Sequence, residues 1–153
     1  MKLVELHIER LILDLTGESW ALVLSAGDKQ ITMSIGLLEG TAIDAVLNQI
    51  SSPRPLTADT ALAAIRHLGA DVSRVIIRDF RDGTFYATIE IRDGRGVVQD
   101  IDSRPSDAIA IAVRAKCPIF TTEKLLEEIA EKEEESRLTA KAMGTAGEKI
   151  GEA

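Results

Sequence analysis

At 153 residues, with 45% hydrophobic side chains, the chain can build one domain around one core and has no length for a second independent fold. A net charge of −7 and an aromatic share of 3% argue against simple electrostatic adhesion to nucleic acid or anionic lipid and leave few rings for stacking on bases. The first residues, MKLVELHIER, hold no uninterrupted apolar run, so neither a signal peptide nor a membrane span is expected there. Cys117 is alone, which rules out a disulfide within the chain and makes a reducing cytoplasm the expected compartment.

Leu3 to Leu15 begins with alternating side chains and predicts a strand, closed by a turn at Thr16-Gly17-Glu18. Trp20 to Ser25 and Gln30 to Ile35 predict two more strands, giving an antiparallel meander. After Gly36 the period changes: Leu37, Leu38, Ala42, Ile43, Val46, Leu47 and Ile50 fall at helical spacing before Ser51-Ser52-Pro53. Arg54-Pro55-Leu56 must then be extended, because a residue before proline avoids the helical region. Thr57 is expected to cap a second helix that runs to about His67 and is closed by Gly69.

Asp71 to Arg81 and Thr84 to Arg92 predict a hairpin around Asp82-Gly83, the strongest two-residue turn signal in the chain. A second hairpin turns at Asp93-Gly94-Arg95-Gly96 into Val97 to Ile101. A helix from Pro105, a short strand at Pro118 to Thr121 and a helix capped by Thr121 or Thr122 come next; the apolar pattern of this last helix fades after Ile129. Residues past about Arg137 are expected to fray. Runs of strands with helices between the runs predict an α+β fold, a mainly antiparallel sheet of hairpins and a meander with three to four helices packed on it.

The stretch DSRPSDAIAIAVR, residues 102–114, concentrates the polar chemistry. Pro105 suits the first helical position, and an acidic Asp107 two residues on can accept from unpaired backbone donors and face the positive end of the helix dipole. Ala108 to Val113 is wholly apolar, so the helix should be buried on most sides and its start should open into a protected spot where Asp102, Arg104, Ser106 and Asp107 meet. The cluster admits two readings. One is a plain ion network of Asp102, Arg104 and Asp107. The other is a metal centre: Asp102, Asp107 and Glu39 as oxygen ligands of Mg²⁺ or Mn²⁺, with Arg104 or Arg54 stabilising charge on a phosphate. Between Lys29 and Lys116 every basic residue is Arg, a bias that fits either bidentate anion binding or ordinary ion pairs. His7, His67 and Cys117 are read as structural, and Asp82 as a turn residue.

IGLLEGTAI (35–43), RPLTADT (54–60), FRDGTFYATIEI (80–91) and DSRPSDAIAIAVR together resemble the bifunctional nuclease family over roughly Met1 to Glu128, which sets a domain at 1–128 and an acidic helical to disordered tail at 129–153. The resemblance implies activity on both DNA and RNA with little sequence preference. It carries catalytic roles to Asp102, Arg104, Ser106 and Asp107, substrate binding to Arg54 and Thr57, and metal binding to Glu39, Asp102 and Asp107. Ala58 stands where many relatives of that family have His. The alternative is a non-enzymatic ligand-binding or protein-interaction module of the same fold. Exposed sheet edges further predict a homodimer.

Overall fold

The computed structural model describes residues 1–151, with side chains described through Gly144. The elements are β1 (Leu3–Leu13), β2 (Ser19–Ala26), β3 (Lys29–Gly36), α1 (Leu37–Leu47), α2 (Thr57–His67), β4 (Ala70–Arg81), β5 (Thr84–Asp93), β6 (Val98–Ser103), α3 (Pro105–Ala115), β7 (Ile119–Thr122) and α4 (Glu123–Gly151). The fold is α+β: one seven-stranded sheet in the order β3-β2-β1-β7-β4-β5-β6, with four helices. Every pairing is antiparallel except β4 with β7.

The two halves of the chain are joined at β7. Its four residues pair with the first part of β1 on one side and with the middle of β4 on the other. The hydroxyl of Thr121, fully buried, donates to the Ile77 carbonyl at 2.9 Å and fastens β7 to β4 through a side chain as well. β1 serves both halves because a register shift between Ile8 and Arg10 lets its second part turn toward β2.

Strand alternation sorts the sheet into two chemistries. Val75, Ile77, Ala87 and Ile89 face the apolar core together with Ala108, Ile109, Ala110, Ile111 and Ala112 of α3. The opposite face carries Arg74, Ile76 and Arg78 of β4 against Thr88 and Glu90 of β5 and Asp100 of β6. Glu90, only 7% exposed, is held by Ser73 Oγ at 2.9 Å and Arg74 Nε at 2.9 Å. Arg78 Nε donates to Thr88 Oγ1 and its Nη2 reaches Asp100. Buried polar groups on this face are thus paired, as burial requires.

Two glycines fix α1. A Cβ on Gly40 would stand 2.1 Å from Trp20 Cδ1, so only glycine lets the β2 indole lie against this helix, where Trp20 Nε1 donates to the Leu37 carbonyl at 3.1 Å. Beside Gly36 the Glu39 carboxylate folds back to within 2.1 Å of where a Cβ would be. At the β4–β5 hairpin Asp82 and Gly83 both take positive φ, 52° and 76°, as the two-residue turn demands.

Three local expectations change. Thr57 is the first residue of α2 and not its cap; the cap position is Leu56, and Asp59 reaches back to accept from the Leu56 amide at 2.8 Å, using a longer and charged acceptor that a threonine lacks. Asp107 makes no cap hydrogen bond to the α3 backbone, because its carboxylate is taken by the neighbouring guanidinium of Arg104, a charged donor. The backbone stays helical from Glu123 to Gly151, past the expected fade near Arg137, since Glu, Lys and Ala are good helix formers with or without an apolar stripe. The limit at residue 128 therefore falls inside α4, and Ile129 is still buried in the core; residues 152–153 of the tail lie outside the described residues.

Candidate functional site

The starts of α1 and α3 stand side by side, and three charged side chains meet there. Arg104 occupies the cap position of α3 in the extended conformation that Pro105 imposes, φ −67° and ψ 143°. Its Nε donates to Asp107 Oδ2 at 2.8 Å and its Nη2 to Glu39 Oε1 at 3.4 Å. One guanidinium thus ties the acidic third residue of α3 to the acidic third residue of α1. The hydrogen bond and charge of Asp107, and more weakly the charge of Glu39, raise the Arg104 pKa and keep it cationic.

The cluster is open. Arg104 and Asp107 side chains are 66% and 47% exposed, and Glu39 is 26% exposed, so the expected protected spot is instead a surface mouth. The burial of α3 begins only at Pro105 and Ser106, and Ser106 is 7% exposed as part of that packing. No side chain caps α3, so the positive ends of α1 and α3 both face this mouth.

Asp102 does not join the others. It stands opposite Thr88 in the β5–β6 register, two residues from Asp100, and alternation places it on the Arg78 face of the sheet, away from Ile101 and the helices. Among the described residues no group of three His, Cys, Asp or Glu side chains stands close enough to hold a metal ion. The three expected ligands are therefore two together, Glu39 and Asp107, and one apart.

Arg54 and Thr57 lie elsewhere again, at the corner leading into α2, both exposed. Arg54 lines a cleft of about 510 Å³ between the end of α1, the Ser51–Pro55 corner and α3. At its base Arg114, 7% exposed, donates from Nε to Asp59 Oδ1 at 2.7 Å and from Nη1 to the Ala110 carbonyl at 2.8 Å. This pair was missed by sequence reasoning, although Asp59 belongs to the RPLTADT motif and Arg114 ends DSRPSDAIAIAVR; charged residues inside two separate motifs were the available signal. Partial burial pushes the Asp59 carboxyl up, but the Leu56 amide and Arg114 outweigh it and leave it below its ordinary value.

Cys117 is half-buried, and burial pushes its thiol up to about 11, which suits packing and not nucleophilic work. His67 Nδ1 lies 2.7 Å from the Ala63 carbonyl one turn back, a helix-end contact. No helix among the described residues is long and apolar enough to cross a membrane.

A protein-family model described as the bifunctional nuclease domain matches residues 22–134, a span that contains Glu39, Asp59, Arg104, Asp107 and Arg114. Two Mycobacterium tuberculosis proteins, "Uncharacterized protein MT1877" of strain CDC 1551 / Oshkosh and "Uncharacterized protein Rv1829" of strain ATCC 25618 / H37Rv, are each 39% identical to this chain over 100 residues, 65% of this chain and 58% of theirs. The chain thus covers less than two thirds of the length of these relatives.

Proposed function

The chain belongs to the bifunctional nuclease domain family, and from that membership we propose that it hydrolyses phosphodiester bonds of DNA and RNA in the cytoplasm, with little sequence preference, at the Glu39–Arg104–Asp107 mouth. The observation that carries the placement is the shared guanidinium: an exposed Arg104 held between two carboxylates where two helix N-termini meet. Such a mouth offers a phosphate an exposed cation and two positive helix ends. A scarcity of aromatic side chains fits contact with the backbone and not with bases.

Two carboxylates suffice for Mg²⁺ or Mn²⁺ when substrate phosphate and water complete the shell. Glu39 and Asp107 are the residues that would hold such an ion, which would polarise the phosphoryl oxygen and activate water. Arg104 would then leave its carboxylates for the phosphate, a movement its exposure permits. Asp102 has no part in this reading. Ser106 supports the start of α3 by packing.

One observation favours the rival reading, a non-enzymatic binding module: both carboxylates already have a partner in Arg104. Incubation with single-stranded DNA, duplex DNA and RNA in Mg²⁺, Mn²⁺ or chelator separates the two. The nuclease reading expects cleavage that needs the metal, is abolished in Asp107→Asn and Glu39→Gln, and is retained in Asp102→Asn. Cleavage indifferent to chelator and to both substitutions, or no cleavage under any condition, rejects it.

The same proposal includes a homodimer formed through β6. This strand ends the sheet, and Val98 and Ile101 on it are 42% and 39% exposed. An unpaired edge with apolar side chains is a template for a second copy.

A further inference from the structure

Across the groove between α1, α2 and α3 lies a second cleft, of about 480 Å³, which shares Val46, Asp59 and Arg114 with the first as a common wall. Around the pair of clefts stand four cations, Arg54, Arg66, Arg114 and Lys116, against two carboxylates, Asp59 in the shared wall and Asp71, which pairs with Arg66. On a chain of net charge −7 this is an inverted charge balance. Most arginines of this protein are spent on carboxylates, but among the described residues neither Arg54 nor Lys116 has a hydrogen bond or an ion pair.

The middle of the groove is built, not incidental. The Arg114 side chain is 7% exposed and uses Nε on Asp59 and Nη1 on the Ala110 carbonyl. A guanidinium carries five N–H donors, so Nη2 and one proton of Nη1 remain without a protein acceptor beside an open cleft. A buried guanidinium with donors to spare, flanked by two unpaired cations, is suited to oxygens of a phosphate.

We infer that this groove seats the phosphodiester backbone of a single-stranded nucleic acid, with one phosphate on Arg114 and neighbouring phosphates on Arg54 and Lys116. The inference rests on the reading that nucleic acid is the substrate, and adds where the strand lies. A side chain only 7% exposed is reached more readily by a flexible single strand than by a stiff duplex. No Phe, Tyr or Trp lines either cleft, so the contact reads phosphates and not bases.

Fluorescence anisotropy of a labelled short oligothymidylate, recorded in chelator across a salt series, tests this without cleavage. Expected is binding whose affinity falls with salt, weakened several-fold in Arg54→Gln and in Lys116→Gln, each of which lowers the salt slope by about one. Lys29→Gln, on the far edge of the sheet, should bind as wild type. Thermal melts of Arg54→Gln and Lys116→Gln check that both variants are folded. Wild-type affinity in both groove variants overturns the groove even if the protein cleaves nucleic acid. Loss of binding in the groove variants, with no cleavage by wild type in any metal, keeps the groove and removes the nuclease. Absence of oligonucleotide binding, or thermal stabilisation by inorganic phosphate alone, overturns the strand as occupant.

Discussion

Gly40→Ala tests how the site is held, because α1 carries Glu39 and rests on Trp20. The added Cβ would lie 2.1 Å from Trp20 Cδ1, 2.3 Å from Cγ and 2.8 Å from Cβ, where ordinary contact begins at 3.4 Å. A displacement of more than an ångström is needed, and a ring pinned through Nε1 to the Leu37 carbonyl cannot give that much without breaking the bond. Overpacking costs about 1–3 kcal/mol. The lost hydrogen bond adds about 0.5–1.5 kcal/mol. Alanine's better helix propensity returns about 1 kcal/mol. The expected net loss is about 2 kcal/mol, a Tm lowered by about 4–8 °C for a chain of this size. Trp20 is the single tryptophan, so its fluorescence reports the displacement directly while circular dichroism gives the melt. Gly94→Ala, where a Cβ meets nothing within 4 Å, is the control and should be near neutral. A Gly40→Ala protein as stable as that control, with unchanged tryptophan emission, would refute the packing argument and with it the account of why Glu39 sits where it does.

Glu90→Gln probes the polar face of the sheet. Burial pushes the Glu90 carboxyl up, but Ser73 and Arg74 outweigh it and hold it below its ordinary 4.5. Its stabilisation is therefore present above pH 4.5 and is lost as pH falls through the lowered folded value. Urea melts should show a cost of about 1–3 kcal/mol for Glu90→Gln at neutral pH that shrinks on acidification below 4.5. A cost independent of pH would contradict this. For the edge strand, light scattering should give twice the chain mass for wild type and a monomer for Ile101→Lys; a monomeric wild type at high concentration would remove the proposed pairing.

Most of the fold was legible because its signals are local. Period-two alternation located β1, β4 and β5, two strand candidates around Ala26-Gly27-Asp28-Lys29 gave β2 and β3, the Asp-Gly pair fixed the hairpin between β4 and β5, and the shift to helical spacing after Gly36 marked α1. The insertion of β7 between β1 and β4 was not legible, since four residues carry no period and their partners lie more than forty residues away along the chain. The persistence of α4 escaped for a different reason. The decay of its apolar stripe reports where the helix stops burying side chains in the core, and helix propensity carries the turns beyond that point.

At the site, nearness in sequence was a poor guide to nearness in space. Asp102, Arg104 and Asp107 fall within six residues, yet a strand precedes Arg104 and a helix succeeds it, and a strand sends successive side chains to opposite faces. Ile101 lies opposite the core residue Ile89, which obliges Asp102 to point to the other face, so the split could have been read from the alternation itself. The contacts that replace it span 65 residues from Glu39 to Arg104 and 55 from Asp59 to Arg114, distances at which no spacing rule operates. The run of arginines acquires its meaning only through those contacts. Seven of the nine are paired with carboxylates, which makes the bias chiefly a matter of ion pairs. The two that remain are Arg92, whose charge acts on the buried Glu90, and Arg54, which lines the cleft that Arg114 shares and is for that reason the arginine on which the proposed anion contact rests.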